Sequence, residues 1–218
     1  MSTGIWAAVP VKDTEGAKRR LASVLSGKQR QALALAMLED VLAALAEVPG
    51  LAGIVLVTID PQATRLAARY GAECWPDGAR DGHTGAVTAA ARRLAAAGVF
   101  GMLALPGDIP LVTAAEVGQL LAAHGPAPSF TIAPSHDDMG SNAVLMSPPD
   151  AVPLRFGDDS FRPHLAAAKA RGIAPTVVPL PGIALDIDNP GDLAHFARFG
   201  SRTRAGLWLA ENTSTAVP

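Results

Sequence analysis

The sequence predicts an α/β protein with a mainly parallel, twisted β-sheet and helices packed on both of its faces. Short apolar runs alternate with segments of helical periodicity almost to the end of the chain. The helical segments are long enough to carry the chain from one parallel strand to the next. In addition, 49% of the 218 residues are apolar, which is enough to bury a core on both faces of a sheet.

In the first half of the chain, local signals bound the predicted elements. Ser26 and Gln29 form a capping box that begins a long helix, and Pro49-Gly50 ends it. Pro61 lies in the first turn of a shorter helix, and Gly71 closes it. The apolar runs at residues 5–11, 53–59 and 72–75 are predicted strands, and residues 27–48, 61–71 and 84–97 are predicted helices.

The second half continues the same alternation. Capping residues precede three further helical segments: Thr113 with Glu116 before a helix to His124, Ser160 before a helix to Arg171, and Asn189-Pro190 at the last helix. Predicted strands cover residues 99–105, 129–133, 143–146 and 176–180, and a polar loop joins the second and third of these. Residues 1–200 are predicted to form a single domain, and residues 201–218 a C-terminal tail whose order the sequence leaves open.

The composition excludes several classes of protein. The 18 Lys and Arg residues are balanced by 20 Asp and Glu, so no dominant positive field arises and a nucleic-acid partner is not expected. Cys74 is the single cysteine, which excludes an intramolecular disulfide and a cysteine-built zinc site. No apolar stretch approaches the roughly 18 residues that span a bilayer, and no signal peptide is evident. We therefore expect a cytoplasmic protein without a membrane partner.

The polar residues beyond the carboxyl ends of the strands are the candidates for function, because ligands bind there in parallel α/β sheets. The loop after the first strand has four cations, which suit a polyphosphate. They are Lys12, Lys18, Arg19 and Arg20. A solvated basic loop before a helix is the alternative. The loop contains only Gly16, so it is neither a Walker A loop nor a dinucleotide fingerprint.

Aspartates follow two other apolar segments. Asp108 lies in a turn stiffened by glycine and prolines, and Asp186 and Asp188 point the same way if their segment is extended. Mg²⁺ takes one or two carboxylates together with phosphate oxygens and waters, so these aspartates are candidate ligands. Alternatively, Asp108 forms a turn, and Asp188 or Asn189 caps the next helix. Periodicity does not distinguish Asp186 from Asp188 as the metal ligand.

A third candidate is a cradle of small residues for a carboxylate or a phosphate. Gly140-Ser141-Asn142 and residues 156–161, with Ser160 at a helix start, would supply N–H and hydroxyl donors. A hairpin turn with an ordinary helix cap is the alternative, and on the residues alone it is the stronger one. The five histidines, His164 among them, lack the spacing of metal ligands.

Taken in order, these residues resemble the guanylyltransferases that make the phospho-acid intermediate of the deazaflavin coenzyme F-420. The resemblance extends from about residue 5 to residue 193. It is carried by Pro10-Val11-Lys12 with residues 18–21, by Gly107-Asp108-Ile109-Pro110-Leu111, by Gly140-Ser141-Asn142, by residues 156–161 with His164, and by residues 186–193.

The resemblance implies a three-layer, Rossmann-like nucleotidyltransferase fold. It also implies that GTP is joined to 2-phospho-L-lactate, phosphoenolpyruvate or 3-phospho-D-glycerate, with release of pyrophosphate. By the same resemblance, Lys12, Lys18 and Arg20 would contact the nucleotide phosphates, and Gly82 and Thr84 would also bind the nucleotide. The implied Mg²⁺ ligands are Asp108 with one or both of Asp186 and Asp188. The implied phospho-acid site consists of Ser141, Asn142, Gly157, Ser160 and His164. A homodimer is an expectation from the resemblance alone.

Two departures from the family pattern bear on specificity. Gly82-His83-Thr84-Gly85-Ala86-Val87 stands where the family usually has Gly-Leu-Asn-Ala-Ala-Leu, and Met139 precedes Gly140 where the family tends to have Gly-Gly-Thr-Asn. The base preference and the accepted acid are therefore open. One competing assignment is a molybdopterin guanylyl- or cytidylyltransferase, but these usually have a glycine-rich first loop, and the loop here is rich in lysine. A second is a glycosyltransferase, which would need Asp-x-Asp where this chain has only Asp108. A third is a non-catalytic nucleotide-binding module.

Overall fold

The computed structural model describes residues 4–157 and 159–213. Within these ranges the strands are β1 (Ile5–Pro10), β2 (Leu51–Val57), β3 (Glu73–Trp75), β4 (Gly101–Ala104), β5 (Ser129–Pro134), β6 (Ser141–Ser147) and β7 (Thr176–Val177). The helices are α1 (Gly27–Ala46), α2 (Pro61–Arg69), α3 (Gly82–Ala96), α4 (Ala114–Ala123), α5 (Phe161–Ala170), α6 (Pro181–Ala184), α7 (Pro190–Ala197) and α8 (Arg204–Thr213), with a 3-10 turn at Arg19–Leu21. None of these helices is long and apolar enough to cross a membrane.

The strands form one sheet in the order β3-β2-β1-β4-β6-β5-β7. β1 pairs in parallel with β2 and β4, β2 pairs in parallel with β3, and β5 pairs in parallel with β7. β6 is antiparallel to both of its neighbours, β4 and β5. The connection between β5 and β6 is too short for a crossover, so it must reverse the chain as a hairpin. The predicted mainly parallel α/β sheet is confirmed, with one reversed strand.

The two faces of the sheet bury separate halves of the core. Along β1, Ala7 and Val9 pack with residues of α1, α2 and α4, while Trp6 and Ala8 pack with residues of α3 and α5. This division follows from the alternation of side chains along a strand. Helices therefore cover both faces of the sheet, as the three-layer fold requires.

Local capping signals placed most helix starts correctly. The capping box of Ser26 with Gln29 begins α1, and that of Thr113 with Glu116 begins α4. Ser160 is at the N-cap position of α5, as predicted, but its side chain does not cap the helix: it makes no capping hydrogen bond, and its hydroxyl donates instead to Ser141 Oγ at 3.2 Å. The Ser160 side chain, predicted to cap the helix, lines a cleft of the protein instead.

The strand predicted at residues 176–180 is wrong beyond Val177. β7 covers only Thr176–Val177 and pairs with β5. Pro179 cannot donate a ladder hydrogen bond, and Pro181 begins the short helix α6. The two prolines therefore end the strand early.

The C-terminal tail predicted from residue 201 is wrong over residues 204–213, which form α8, so α7 is not the last helix. The carboxylate of Asp40 in α1 accepts the backbone N–H groups of Arg204 and Ala205 at 2.8 and 2.9 Å. Ala205 and Leu209 are buried in a cluster with residues of α1 and α7. The start of α8 is thus held by a residue distant in sequence, which a local pattern cannot reveal. Residues 214–218 lie outside the described residues.

Candidate active site

A cleft of about 920 Å³ opens at the carboxyl ends of β1 and β4, beside the hairpin between β5 and β6. Nearly all the residues singled out from the sequence line it: Lys12, Lys18, Arg19, Arg20, Gly82, Thr84, Asp108, Ser141, Asn142, Gly157, Ser160, Asp186 and Asp188. His164 is the exception, because it is buried with 1% of its surface exposed. The fold therefore brings together stretches of the chain that are far apart in sequence.

An ammonium group lies between two carboxylates in this cleft. Lys18 Nζ donates to Asp108 Oδ2 at 2.5 Å and to Asp188 Oδ1 at 2.7 Å, and Arg20 approaches the second oxygen of Asp188 at 3.9 Å. Burial alone would lower the pKa of Lys18, but the two carboxylates raise it. Burial opposes ionisation of Asp188 as well, and the charge of Lys18 nevertheless lowers the pKa of that carboxyl. Lys18 is therefore a cation, and Asp188 an anion, at neutral pH.

The backbone of Lys18 is in the left-handed region, with φ of 53°. Residues other than glycine are uncommon there, and such conformations persist where the surrounding structure enforces them. The two ion pairs of the Lys18 side chain supply that enforcement. The backbone geometry and the charge cluster thus depend on each other.

The loop that presents these cations is anchored by Asp60. One oxygen of Asp60 accepts the N–H and the hydroxyl of Thr14 at 2.7 and 2.6 Å, and the other accepts the N–H groups of Gln62 and Ala63 at the start of α2. Burial opposes ionisation of Asp60, but the bonds from Thr14 lower its pKa. Asp60 is not among the site residues predicted from the sequence. Asp60-Pro61 is a recognisable helix start, yet nothing in it shows that the loop partner lies 46 residues away.

Asp186 is held by Asn142 from the neighbouring strand β6. The side-chain amide nitrogen of Asn142 donates to Asp186 Oδ1 at 3.0 Å and to the carbonyl groups of Ile183 and Ala184 at 3.0 and 3.1 Å. Burial raises the pKa of Asp186, and the nearby carboxylates of Asp108 and Asp188 raise it as well. Asn142, expected to hold the phospho-acid, thus uses its amide nitrogen to position a carboxylate.

The expected Mg²⁺ ligands Asp108, Asp186 and Asp188 all line the cleft. In the part of the chain that the structure describes, no group of three such side chains is arranged to hold a metal ion by itself. The Lys18 ammonium pairs with two of the three carboxylates. The donor set fits a hard cation such as Mg²⁺, which needs only one or two carboxylates and takes its other oxygens from phosphates and waters.

Two serine hydroxyls, supported by a buried histidine, form another part of the cleft lining. Ser141 Oγ lies 2.9 Å from His164 Nδ1, and Ser160 donates to Ser141. The other ring nitrogen of His164 accepts the backbone N–H of Arg155 at 2.9 Å. Both ring nitrogens are thus engaged within the protein. His164 supports this part of the lining from behind, and the hydroxyls of Ser141 and Ser160 line the cleft.

Thr84 connects the start of α3 to the segment that contains Gly157. Its hydroxyl accepts the backbone N–H of Phe156 at 3.0 Å and donates to the carbonyl of Phe156 at 3.4 Å. The ring of Phe156 lies against His83, with centroids 4.3 Å apart. Gly82 begins the helix with a positive φ of 75°. The Thr84 hydroxyl therefore bonds to the protein backbone, although the residue also lines the cleft.

Comparison with known proteins identifies the family. The chain matches the family model described as "Guanylyl transferase CofC like" over residues 5–213. The chain belongs to this guanylyltransferase family. Membership confirms the resemblance inferred from the sequence, and it identifies the chain as an enzyme, a nucleotidyltransferase.

Curated relatives agree with this guanylyltransferase assignment, and a solved structure shares the fold. The chain is 39% identical over 199 residues to the phosphoenolpyruvate guanylyltransferase of Rubrobacter xylanophilus, covering 90% of this chain and 95% of the relative. It is 36% identical over 193 residues to the 3-phospho-D-glycerate guanylyltransferase of Colwellia psychrerythraea, covering 88% and 91%. A nucleotidyl transferase from Methanothermobacter thermautotroptrophicus superposes with a TM-score of 0.64 at 17% identity, covering 91% of this chain and 98% of that one, which shows the shared fold.

Proposed function

We propose that this guanylyltransferase joins GTP to the phosphate of a small phosphorylated carboxylic acid and releases pyrophosphate, in the biosynthesis of coenzyme F-420. The candidate acids are phosphoenolpyruvate, 3-phospho-D-glycerate and 2-phospho-L-lactate, the first two of which appear in the names of the relatives. The supporting observation is one cleft that combines a lysine–aspartate charge cluster with serine hydroxyls.

The proposed step is an in-line displacement at the α-phosphorus of GTP. An oxygen of the acid's phosphate forms a bond to that phosphorus, and the bond from the phosphorus to the pyrophosphate oxygen breaks. A phosphate monoester has a second pKa near 6, so it is already a nucleophile at neutral pH and needs no general base. The protein then has to position the two anions and neutralise their charge.

Lys12, Lys18 and Arg20 are the proposed partners of the nucleotide phosphates. Lys12 and Arg20 are exposed at the mouth of the cleft, so both are accessible to a triphosphate. Lys18 is protonated, and its ammonium offsets the negative charges of Asp108 and Asp188. Bound phosphates would add further negative charge at this place. The start of α3, with Gly82 and Thr84, adds backbone N–H groups that favour an anion.

The enzyme is proposed to depend on Mg²⁺, held by Asp108 together with Asp186 or Asp188. Bound there, the ion would neutralise charge on the phosphates during the displacement. Asp108 lies in the turn after β4, and its backbone carbonyl accepts the N–H of Ile187 at 3.1 Å, which joins this turn to the segment of Asp186 and Asp188. Asn142 keeps the Asp186 carboxylate on the same side.

Ser141, Ser160 and Gly157 are the proposed contacts of the phospho-acid. The two hydroxyls lie at the start of β6 and just before α5, and both line the cleft that contains the charge cluster. Hydroxyl and backbone N–H donors suit a carboxylate or a phosphate. A homodimer belongs to the same proposal and rests on the resemblance alone, and the cytoplasmic location expected from the sequence is proposed with it.

The first experiment measures pyrophosphate release with Mg²⁺, crossing GTP, CTP and ATP against the three acids. Release from GTP with one acid is the expected result, and it names the acceptor. Nucleotide binding without release from any pair would overturn the proposal in favour of a non-catalytic module, and release only with CTP would point to a cytidylyltransferase.

The variant Asp108→Asn tests the catalytic site directly. We expect it to abolish turnover without unfolding the protein, because the charge is lost while the shape is kept. Asp150→Asn, at an exposed position outside the cleft lining, is the matched control and should keep full activity. Near-normal turnover of Asp108→Asn across a Mg²⁺ titration would contradict the metal assignment.

A further inference from the structure

We propose that His164 is a positioning residue that makes the Ser141 hydroxyl an obligate hydrogen-bond donor to an anionic group of the acid substrate. The proposal rests on the function proposed above and adds to it the polarity of the acid site. His164 is 1% exposed, so it acts through Ser141 and does not touch the substrate.

The hydrogen-bond partners of His164 determine which ring nitrogen has the proton. The backbone N–H of Arg155 points at Nε2 from 2.9 Å, and a backbone N–H can only donate. Nε2 must therefore be the unprotonated nitrogen, and in a neutral imidazole the proton lies on Nδ1. Nδ1 lies 2.9 Å from Ser141 Oγ, so His164 donates to Ser141.

Ser141 consequently accepts hydrogen bonds from both of its side-chain partners, His164 and Ser160. A hydroxyl has two acceptor positions and one proton. His164 uses one acceptor position of Ser141, and the Ser160 hydroxyl, which donates at 3.2 Å, uses the other. The proton of Ser141 is then directed away from both partners and toward the cleft that Ser141 lines. A hydroxyl with this polarity binds an anionic oxygen and cannot accept from a neutral donor.

The surroundings of His164 keep the ring neutral. Burial, with a smaller contribution from His83, lowers the pKa of His164 to about 4. A doubly protonated ring would lose the acceptor that the N–H of Arg155 needs. The ring of Phe156, 5.0 Å from that of His164 in an edge-on arrangement, covers the imidazole from the side. The structure therefore provides both an oriented and an uncharged imidazole.

Two substitutions at His164 separate its hydrogen bonds. His164→Asn places an amide nitrogen near the position of Nδ1 and can still donate to Ser141. His164→Gln places its amide near the position of Nε2, so it can still accept from Arg155 but no longer reaches Ser141. If His164 only supported the structure, both variants would impair the enzyme, and His164→Asn would impair it more because it loses the bond to the Arg155 backbone.

Steady-state kinetics distinguish these cases. We expect His164→Gln to raise the KM for the acid about tenfold, the upper end for a lost hydrogen bond between neutral groups, with the KM for GTP nearly unchanged. His164→Asn should raise the KM for the acid by less than about threefold. In a Ser141→Ala background, His164→Gln should have no further effect on this KM. Equal effects of the two variants, or a parallel rise in the KM for GTP, would overturn the proposal.

A second measurement needs neither turnover nor a variant. Nitrogen-15 NMR of the imidazole rings in the full-length protein at pH 7 reports the tautomer of each histidine. We expect a protonated Nδ1 and an unprotonated Nε2 for His164. The reverse tautomer, or a charged ring, would overturn the proposal even if a His164 variant failed to fold. If the wild-type enzyme released no pyrophosphate with any acid, the proposed function would fail, while the NMR result would still decide which ring nitrogen of His164 has the proton.

Discussion

Replacing Lys18 by methionine tests how strongly the charge cluster couples the cleft to the fold. The Lys18 ammonium makes ion pairs of 2.5 and 2.7 Å, and its side chain is only 10% exposed. Removing one partner of a fully buried pair costs about 3–5 kcal/mol. The side chains of Asp108 and Asp188 are 27% and 45% exposed, so water screens part of the charge that remains. We therefore expect Lys18→Met to lower the free energy of unfolding by about 2 kcal/mol at pH 7.

The pH dependence of this loss supplies a second check. Lys18 lowers the pKa of Asp188, so that carboxyl contributes stability above its unfolded pKa of about 3.9 and loses it as the pH falls through its lower folded pKa. The advantage of the wild type over Lys18→Met should therefore be complete at pH 7 and smaller at pH 3, which lies below the unfolded pKa of Asp188. Once the carboxylates are protonated, the buried ammonium of the wild type loses its charged partners, and this cost, which Lys18→Met does not have, acts in the same direction.

Urea unfolding followed by circular dichroism at both pH values measures the effect. Lys28→Met is the matched control, because Lys28 is an exposed lysine outside the cleft and its loss should change stability by less than about 0.5 kcal/mol. A cost for Lys18→Met no larger than that of the control, or a cost that does not shrink at low pH, would refute the reasoning.

Three further predictions concern residues that act through hydrogen bonds. Asp60→Ala should lower stability by about 2 kcal/mol and raise the KM for GTP, because the basic loop loses its anchor at Thr14; Asp77→Ala, at an exposed position, is the control. Asp40→Ala should cost about 1–2 kcal/mol and expose α8 to limited proteolysis, and an unchanged cleavage pattern would contradict the role of Asp40 as its cap. The folded pKa of His164, about 4, lies below its ordinary value of 6.5, so its contribution to stability is complete above about pH 6.5 and declines toward pH 4. Between pH 7 and 4.5 the wild type should lose about 2 kcal/mol more than His164→Asn, measured by urea unfolding, and equal losses would show that the ring is not held neutral.

Features that depend on neighbouring residues were predictable from the sequence. The capping boxes at Ser26 and Thr113 satisfy backbone groups within one turn of the chain, so their patterns predicted where α1 and α4 begin. The alternation of strand and helix predicted the sheet, and the topology of parallel sheets predicted that Asp108 and the basic loop would share one edge.

Features that depend on distant partners were not predictable in this way. Ser160 has the sequence context of a helix cap, but tertiary packing directs its hydroxyl to Ser141. The start of α8 depends on Asp40, which lies 164 and 165 residues before its two N–H donors. Both errors have the same origin, because a residue's local pattern contains no information about a polar partner from another part of the chain.

The fold class and the main elements follow from hydrophobic periodicity and helix capping, which are local properties of the chain. The role of each polar side chain depends instead on its neighbours in the folded protein. Lys18 is paired with carboxylates 90 and 170 residues away, and the imidazole of His164 is buried behind Ser141 instead of facing the cleft. Charge pairing, burial and the direction of a hydroxyl proton arise from three-dimensional proximity, and they determine which polar groups of distant parts of the chain meet in one cleft.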